Sequence, residues 1–586
     1  MRLVLAIVSF ALAALMIGFG IAQRTVLAGP DHITAAVSTT TDAPISVIDG
    51  SVLNSFDRKQ TLEITGADSN YAAYGRTTDV LAWVGDASYN KIGFDAETGQ
   101  LTSTLVSGTE DTVPDPSGSD LWVADFREDT ALGFTVDVPE DISVIVVSDG
   151  TLPAPSDLSV TWVLDNSTPW AFPLLIGGAI LLLIGLIFML WALNHVRKAR
   201  GPRRKQQKLP RVPRPPAYKA IKSPKAGTPV AAPKGRRAIS RSVAIVPSLL
   251  VGALLLSACS ADPAVTADAS ATPEATDAQT AEVVAQQIPA VTVPQAKRIV
   301  ARIATVVAEA DAAGDAAALA ARMDGPALAL RTANYAIRKV DAATVAPAAI
   351  PSEPVRITLP QQNDEWPRTV FVVLQDDADA TIAPTALMLI QQDARSQYKV
   401  HYALQLEPGA VIPDVAAANV GTQRLAPDSK LLAVAPEDIG VNYSDVLMND
   451  TASAFIDQFD AESDLLRTQV GLAVKQARIA GVPSTASLTF ATTPGTGPVV
   501  AMATNDGGAI VALSIAESET IAPVEAGAAV NAPAQVAALL GKALSTKGIT
   551  AVYGDQVLFF VPSVIDGGPI VLLGYSQGLI TAAELP

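Results

Sequence analysis

The sequence predicts a multidomain membrane protein: an N-terminal all-β extracytoplasmic domain between two TM helices, then tandem α+β domains. Three observations predict it. Two uncharged apolar runs, residues 3–22 and 170–193, are each long enough to cross a bilayer, which takes about 20 residues. Between them, short alternating apolar runs are separated by Gly, Pro and Asp at the spacing of a sandwich or barrel. Beyond residue 290, apolar residues recur first at helical and then at strand spacing, twice over.

Residues 1–24 form the first span. Arg2 precedes the run and Gln23-Arg24 follows it, which reads as an anchor with its N-terminus inside rather than a cleaved signal. Residues 25–168 form the β-rich domain. Strands are expected at Ile45-Ser46-Val47-Ile48, Thr61-Leu62-Glu63-Ile64 and Ile142-Ser143-Val144-Ile145, and also at Leu81-Ala82-Trp83-Val84, Leu121-Trp122-Val123 and Leu158-Ser159-Val160-Thr161-Trp162. The tryptophans are expected in the core. Asp95, Glu97 and Gly99 lack the full 12-residue calcium-loop pattern and are expected in a solvated turn. Residues 169–193 form the second span, with Trp170 and Trp191 as interfacial anchors. His195, Arg197, Lys198, Arg200, Arg203 and Arg204 follow at once, so that end is expected in the cytoplasm and residues 25–168 outside.

The net charge of −17 is unevenly spread. Residues 194–241 carry 16 Lys or Arg and no acid, leaving 25 basic against 58 acidic residues elsewhere. An acidic protein with one basic, Pro-rich stretch suits a tether at anionic lipid headgroups and excludes a nucleic-acid-binding role. Residues 242–260 then hold a 14-residue apolar run, 243–256, ending in Leu256-Ser257-Ala258-Cys259, with Lys234, Arg236, Arg237 and Arg241 ahead of it. This resembles a bacterial lipoprotein signal. The resemblance implies lipidation of Cys259 and cleavage before it; the rival reading is a third TM helix with an inert thiol. With this single cysteine there is no internal disulfide. Residues 261–289, rich in Ala, Thr, Asp and Pro, form a flexible spacer.

Residues 290–440 and 441–586 form the tandem α+β domains. Ile299, Ile303, Val306 and Val307 predict a helix, and further helices are expected over 316–323 and 328–340. Strands are expected over 355–359, 369–374, 386–390 and 399–404. The second copy is expected to have a helix over 450–477 and strands over 487–490, 498–502, 509–513, 557–561 and 570–573. Leu330-Arg331-Thr332 with Lys339 is echoed by Leu466-Arg467-Thr468 with Lys475, 136 positions later. Helices followed by a curved antiparallel sheet resemble the NTF2-like, cystatin-like cone. That resemblance implies a cleft between sheet and helix, used for catalysis in some members and for binding in others. The whole chain resembles an uncharacterised actinobacterial membrane protein joined to a lipoprotein.

Gly574-Tyr575-Ser576-Gln577-Gly578 is the sharpest catalytic signal and resembles the nucleophile elbow of cutinase-type esterases. Such a hydrolase implies an acid and a histidine downstream, but the ten residues after Ser576 hold no histidine. His32 and His401 lie upstream. A hairpin turn between the last two strands is therefore expected there, and no catalytic residue. Three scattered histidines give no metal-ligand spacing, and the acidic groups Asp376, Asp377, Asp379 and Asp460, Glu462, Asp464 read as solvated charge, the second group on a helix. No phosphate-cradling Gly-rich loop with lysine occurs, and no cofactor is expected. The expected function is that of a non-enzymatic, membrane-anchored cell-envelope protein. Its partners would be membrane lipids and an envelope protein, polymer or small ligand; an esterase-like hydrolase is the alternative.

Overall fold

The computed structural model describes residues 1–56, 59–199, 289–375 and 381–586. The lipidation prediction at Cys259, most of the basic segment, and Asp376, Asp377 and Asp379 lie outside the described residues. The chain divides into two compact units. Of the described residues, one unit holds 1–18 and 174–199, the other 19–56, 59–173, 289–375 and 381–586.

In the first unit, helix α1 (Arg2–Thr25) meets helix α4 (Ala171–Ala199), the fourth helix in chain order. Gly177, Gly178 and Gly185 face Met16, Ile17 and Phe10, and a Cβ at Gly178 would lie 2.5 Å from Ile17 Cγ1. Small residues, with Ala6 and Ala13 buried on α1, let the two backbones approach. Both helices are long and apolar enough to cross a membrane, and most of their surface is open, including Leu5, Leu15, Leu183 and Ile187.

The second unit opens with a β-rich domain. Its strands are β1 (His32–Ser38), β2 (Ile45–Ile48), β3 (Gln60–Arg76), β4 (Tyr89–Asp95), β5 (Gln100–Val106), β6 (Ala124–Val136), β7 (Ile142–Val147) and β8 (Asp157–Val163). They form one eight-stranded sheet in the order β1-β8-β3-β7-β2-β4-β5, with β6 also on β3 and a parallel pair at β2–β4. The 17-residue β3 bends at Gly66, where φ is +95°, and so pairs β8 with its first half and β7 with its second. Strand β7 is buried on both faces. Val144 and Val146 enter one core with Trp162, and Ile145 and Val147 another with Trp83 and Trp122. Two short helices, α2 (Gly50–Leu53) and α3 (Thr77–Val84), complete the domain. Leu81-Ala82-Trp83-Val84, expected as a strand, is the last turn of α3, because Val80, Trp83 and Val84 share one buried face at helical spacing. Leu121-Trp122-Val123 lies in a loop, held by the Trp122 indole donating to Pro116 O at 2.8 Å. Asp95 caps the solvated β4–β5 turn by accepting from Glu97 N and the Thr98 hydroxyl.

The chain resumes with α5 (Val293–Ala313), α6 (Ala316–Leu319) and α7 (Gly325–Val340). Thr292 and Gln295 form a capping box at the start of α5. Strands β9 (Val355–Pro360), β10 (Arg368–Leu374), β11 (Thr385–Gln391) and β12 (Lys399–Leu406) then form an antiparallel meander, and β13 (Arg424–Leu425) ends this half. The second half opens with α8 (Pro436–Asn449), α9 (Leu465–Val470) and α10 (Leu472–Ala480). The helix expected over 450–477 is therefore broken. Residues 450–464 make 3-10 turns and a loop, and Gly471 separates α9 from α10. Strands β14 (Ala486–Pro494), β15 (Val500–Ala503) and β16 (Ala509–Pro523) follow, with a β17 (Val530–Asn531), α11 (Ala534–Leu540), β18 (Leu544–Ser545) insertion before β19 (Ile549–Val561) and β20 (Val571–Glu584).

Both halves contribute to one ten-stranded sheet in the order β13-β15-β16-β19-β20-β12-β11-β10-β9, with β14 also on β16. Thr422, just before β13, exchanges backbone hydrogen bonds with Pro360 O and Gln362 N beyond β9, so the sheet is nearly closed and cone-like. Its two faces have different roles. Val370, Val372 and Leu387 pack under α5–α7, and Val511, Val557 and Phe559 pack under α8. The alternate residues, Phe371, Met388, Leu404, Ile510 and Leu558 among them, meet in one core shared by both halves.

The β-rich domain docks on this structure through buried charge. Asp79 accepts from Arg76, and Arg368 Nη1 lies 2.7 Å from Asp79 Oδ1, with both Asp79 and Arg368 about 1% exposed. Arg322 donates to Asp120 at 2.5 Å, and Tyr398 N donates to the same carboxylate. Arg395 donates to the last carbonyls of α3, Trp83 O and Val84 O, both at 2.8 Å.

Candidate functional site

The two halves join in the sheet at β13–β15 and again between β12 and β20, and the second seam lines a cleft. Only two residue pairs make this second seam, Gln405 with Tyr575 and Leu406 with Gly574, continued by Glu407 N donating to Leu573 O at 2.9 Å. Gly574 is required by close approach: a Cβ there would lie 2.4 Å from Gln405 O and 2.8 Å from Leu406 Cα. Gly578 serves a second contact, since its Cβ would meet Leu330 of α7 at 2.6 Å. Gly574-Tyr575-Ser576-Gln577-Gly578 is therefore neither an elbow nor the expected hairpin turn. It is the middle of β20, and its glycines admit a strand on one side and a helix on the other.

Above the seam, α7, α9 and residues 344–350 enclose a cleft of about 710 Å3. Apolar walls come from Leu330, Ile337, Ile350, Leu404 and Leu465, and the floor is polar, with Gln405, Glu407, Gln556, Tyr575, Ser576 and Gln577. Arg331 enters from α7, where it is paired to Asp311 and donates to Ala348 O at 2.6 Å. The Gln556 amide oxygen accepts from Ala403 N at 2.8 Å across the seam, and Gln469 donates to the Tyr575 hydroxyl. Glu407 is the ionisable group of the floor. Burial pushes its carboxyl up to about 7; the hydrogen bond from Leu465 N opposes this and the neighbouring Asp464 adds to it. A carboxyl near neutrality can hold or release a proton as a ligand arrives.

Gln469 and Gln577 also line a smaller cavity of about 180 Å3 beside α10. There Lys475 donates to Glu517 at 2.6 Å. Next to them Asp555 is fully buried, its carboxylate oxygens without a hydrogen-bond partner of good geometry. Burial, reinforced by Glu517, raises its pKa to about 8, against opposing contributions from Gln577 and Lys475.

The match of residues 287–584 to DUF8094, a domain of unknown function, covers this entire structure. The chain belongs to the DUF8094 family. No curated protein and no solved structure matches it.

The residues singled out from sequence, in the DUF8094 domain and outside it, do not converge. Ser576 lines the cleft, whereas His401 sits on β12 outside the cleft lining. Burial lowers the His401 pKa, and neither ring nitrogen has a hydrogen-bond partner. His32 is exposed on β1, beside Asp31. Asp460 and Glu462 lie in the loop before α9, and Asp464 caps α9 while accepting from the Tyr443 hydroxyl at 2.8 Å. Among the described residues no group of three or more His, Cys, Asp or Glu is placed to hold a metal ion. Glu407 and Gln556, which no motif announces, and Gln577, inside the Gly574–Gly578 motif, contribute polar character to the cavities.

Proposed function

We propose that this chain is a membrane-anchored, non-enzymatic cell-envelope protein whose DUF8094 domain binds a ligand of mixed polarity in the seam cleft. The cleft carries the reading. Its volume of about 710 Å3 falls in the range of small-molecule sites, and apolar walls over a few convergent polar groups are their usual lining. The apolar surface of α1 and α4 supports anchoring, and the positive charge after α4 supports an extracytoplasmic position for the β-rich domain. Leu256-Ser257-Ala258-Cys259 supports a lipid anchor for the DUF8094 domain. Helices followed by antiparallel strands, a four-stranded meander in the first half and five strands in the second, support kinship with NTF2-like folds.

The test is titration of the detergent-solubilised protein with the amphiphilic fluorophore N-phenylnaphthylamine. Saturable binding is expected in the wild type and not in Gln405→Trp, which fills the cleft from an exposed position. Binding unaffected by Gln405→Trp would place the ligand elsewhere. A hydrolase is the second reading, because the Ser576 hydroxyl and the Glu407 carboxyl line one cleft. A serine hydroxyl without a positioned base is a poor nucleophile, and a regular strand does not present it on a strained turn. Wild type and Ser576→Ala are therefore expected to hydrolyse p-nitrophenyl butyrate at the same background rate; a serine-dependent rate would reverse the assignment.

A further inference from the structure

The docking of the β-rich domain on the DUF8094 domain bears on how the chain is threaded and on what holds it together. The interface is complementary in charge. The β-rich domain supplies Asp79, Glu110 and Asp120, and the DUF8094 domain supplies Arg322, Arg368 and Arg395 to meet them. Asp79, Arg368 and the Asp120 side chain are excluded from water, so each ion pair is costly to expose singly and specific to its partner. The contact is also apolar: Ala394 of the DUF8094 domain is buried in the Trp83–Trp122 core, with Trp366 packed on it. Yet α4 and residues 200–288 separate the two domains in sequence, and α4 begins eight residues after β8 ends. If α4 crosses the membrane, as the proposed function holds, the chain has to return across it before residue 289 for these surfaces to meet.

We infer that the Asp79–Asp120 face of the β-rich domain is a docking surface for the DUF8094 domain on the same side of the membrane, and that this joint holds without a covalent link. Cleavage at Cys259 would then leave a two-polypeptide complex: a two-helix membrane subunit and a lipid-anchored DUF8094 subunit seated on it. The inference rests on the membrane reading of α1 and α4 and not on the ligand reading of the cleft.

The experiment uses the full chain with a site-specific protease sequence inserted after residue 275, purified in detergent, cleaved and passed over a sizing column. The two fragments are expected to co-elute. After cleavage of the Asp79→Asn/Asp120→Asn variant they are expected to separate, with affinity reduced about a hundredfold or more. Arg395→Ala, at the rim, is expected to weaken the joint less, which guards against a core variant that merely misfolds. Separation of the wild-type fragments overturns the joint. In a Cys259→Ser background, Glu97→Cys and Ala526→Cys are both expected to react with a membrane-impermeant maleimide on intact cells. Labelling of only one of them overturns the threading, whatever the sizing column shows. Same-side labelling with separated fragments overturns the joint alone.

Discussion

Gly574→Ala tests whether the glycines around Ser576 exist for packing. The added Cβ would meet three backbone atoms of β12, Gln405 O at 2.4 Å, Leu406 Cα at 2.8 Å and Gln405 C at 3.0 Å, none of which belongs to a flexible side chain. Ordinary carbon contacts lie at about 3.5–4.0 Å, so β12 and β20 must part by about 1 Å. The seam has only two residue pairs with which to resist. Overpacking of this kind costs about 1–3 kcal/mol, and each seam hydrogen bond lost adds about 1 kcal/mol. The chain has several domains, so a global unfolding midpoint would blur the effect. Hydrogen exchange of the peptide 571–584, read by mass spectrometry on the intact protein, reports the seam locally. Opening that is easier by about 1–3 kcal/mol speeds exchange by roughly 5- to 150-fold. Gly578→Ala meets only the Leu330 Cδ1 methyl, the end of a side chain that can turn away, and is expected to speed exchange less. Ser576→Ala is expected to change it little. The reasoning fails if Gly574→Ala exchanges like the wild type, or if Gly578→Ala is the more damaging of the two.

Three further outcomes follow from the same geometry. Glu407 in the native state keeps a proton that the unfolded chain releases near pH 4.5, so it lowers stability as pH rises from 4.5 to about 7 and by a constant amount above. The local opening free energy around Glu407, read by hydrogen exchange, should be the same in Glu407→Gln and the wild type at pH 4 and larger in the variant at pH 8, by up to about 3 kcal/mol; equal values at both pH values would contradict the burial. Lys475→Met leaves Glu517 beside Asp555 without the ammonium 2.6 Å away, and should cost about 3–5 kcal/mol in chemical denaturation of the DUF8094 domain. A loss below 1 kcal/mol would show the pair to be dispensable. Asp120→Ala strands the buried Arg322 guanidinium and should raise proteolytic susceptibility at the junction of the two domains, with the rim change Arg395→Ala milder.

Much of the sheet was legible in the sequence, because short, near-continuous apolar runs mark strands buried on both faces. The runs at 369–374, 386–390 and 399–404 fall within β10, β11 and β12. Legibility ended where tertiary contact decides local form. The pair Gly574 and Gly578 reads as a turn, but those glycines are set by Gln405 and Leu330, residues about 170 and 250 positions away. Leu81-Ala82-Trp83-Val84 alternates like a strand, and only the shared burial of Val80, Trp83 and Val84 shows a helix. The echo between Leu330-Arg331-Thr332 and Leu466-Arg467-Thr468 marks equivalent helical positions: Arg331 pairs with Asp311 and Arg467 with Asp450. It does not extend to the lysines. Lys339 is exposed at the end of the continuous α7, whereas the break at Gly471 turns Lys475 inward to Glu517. Glu407 was unreadable, since its near-neutral pKa comes from burial beside α9 rather than from a neighbour in sequence.

The site lies at the seam because the arrangement of the two halves leaves few alternatives. Phe371, Met388 and Leu404 of one half pack against Ile510 and Leu558 of the other, so this face of the sheet is filled by the contact of the two halves. The opposite faces lie under α5–α7 and α8. At the middle of the sheet the short β12–β20 pairing leaves α7 and α9 apart over a polar floor. Polar residues from both halves, Gln405 and Glu407 from the first and Gln556, Ser576 and Gln577 from the second, line the cleft there. A ligand in that cleft would touch both halves at the β12–β20 junction, and its binding should protect the 571–584 amides that Gly574→Ala exposes.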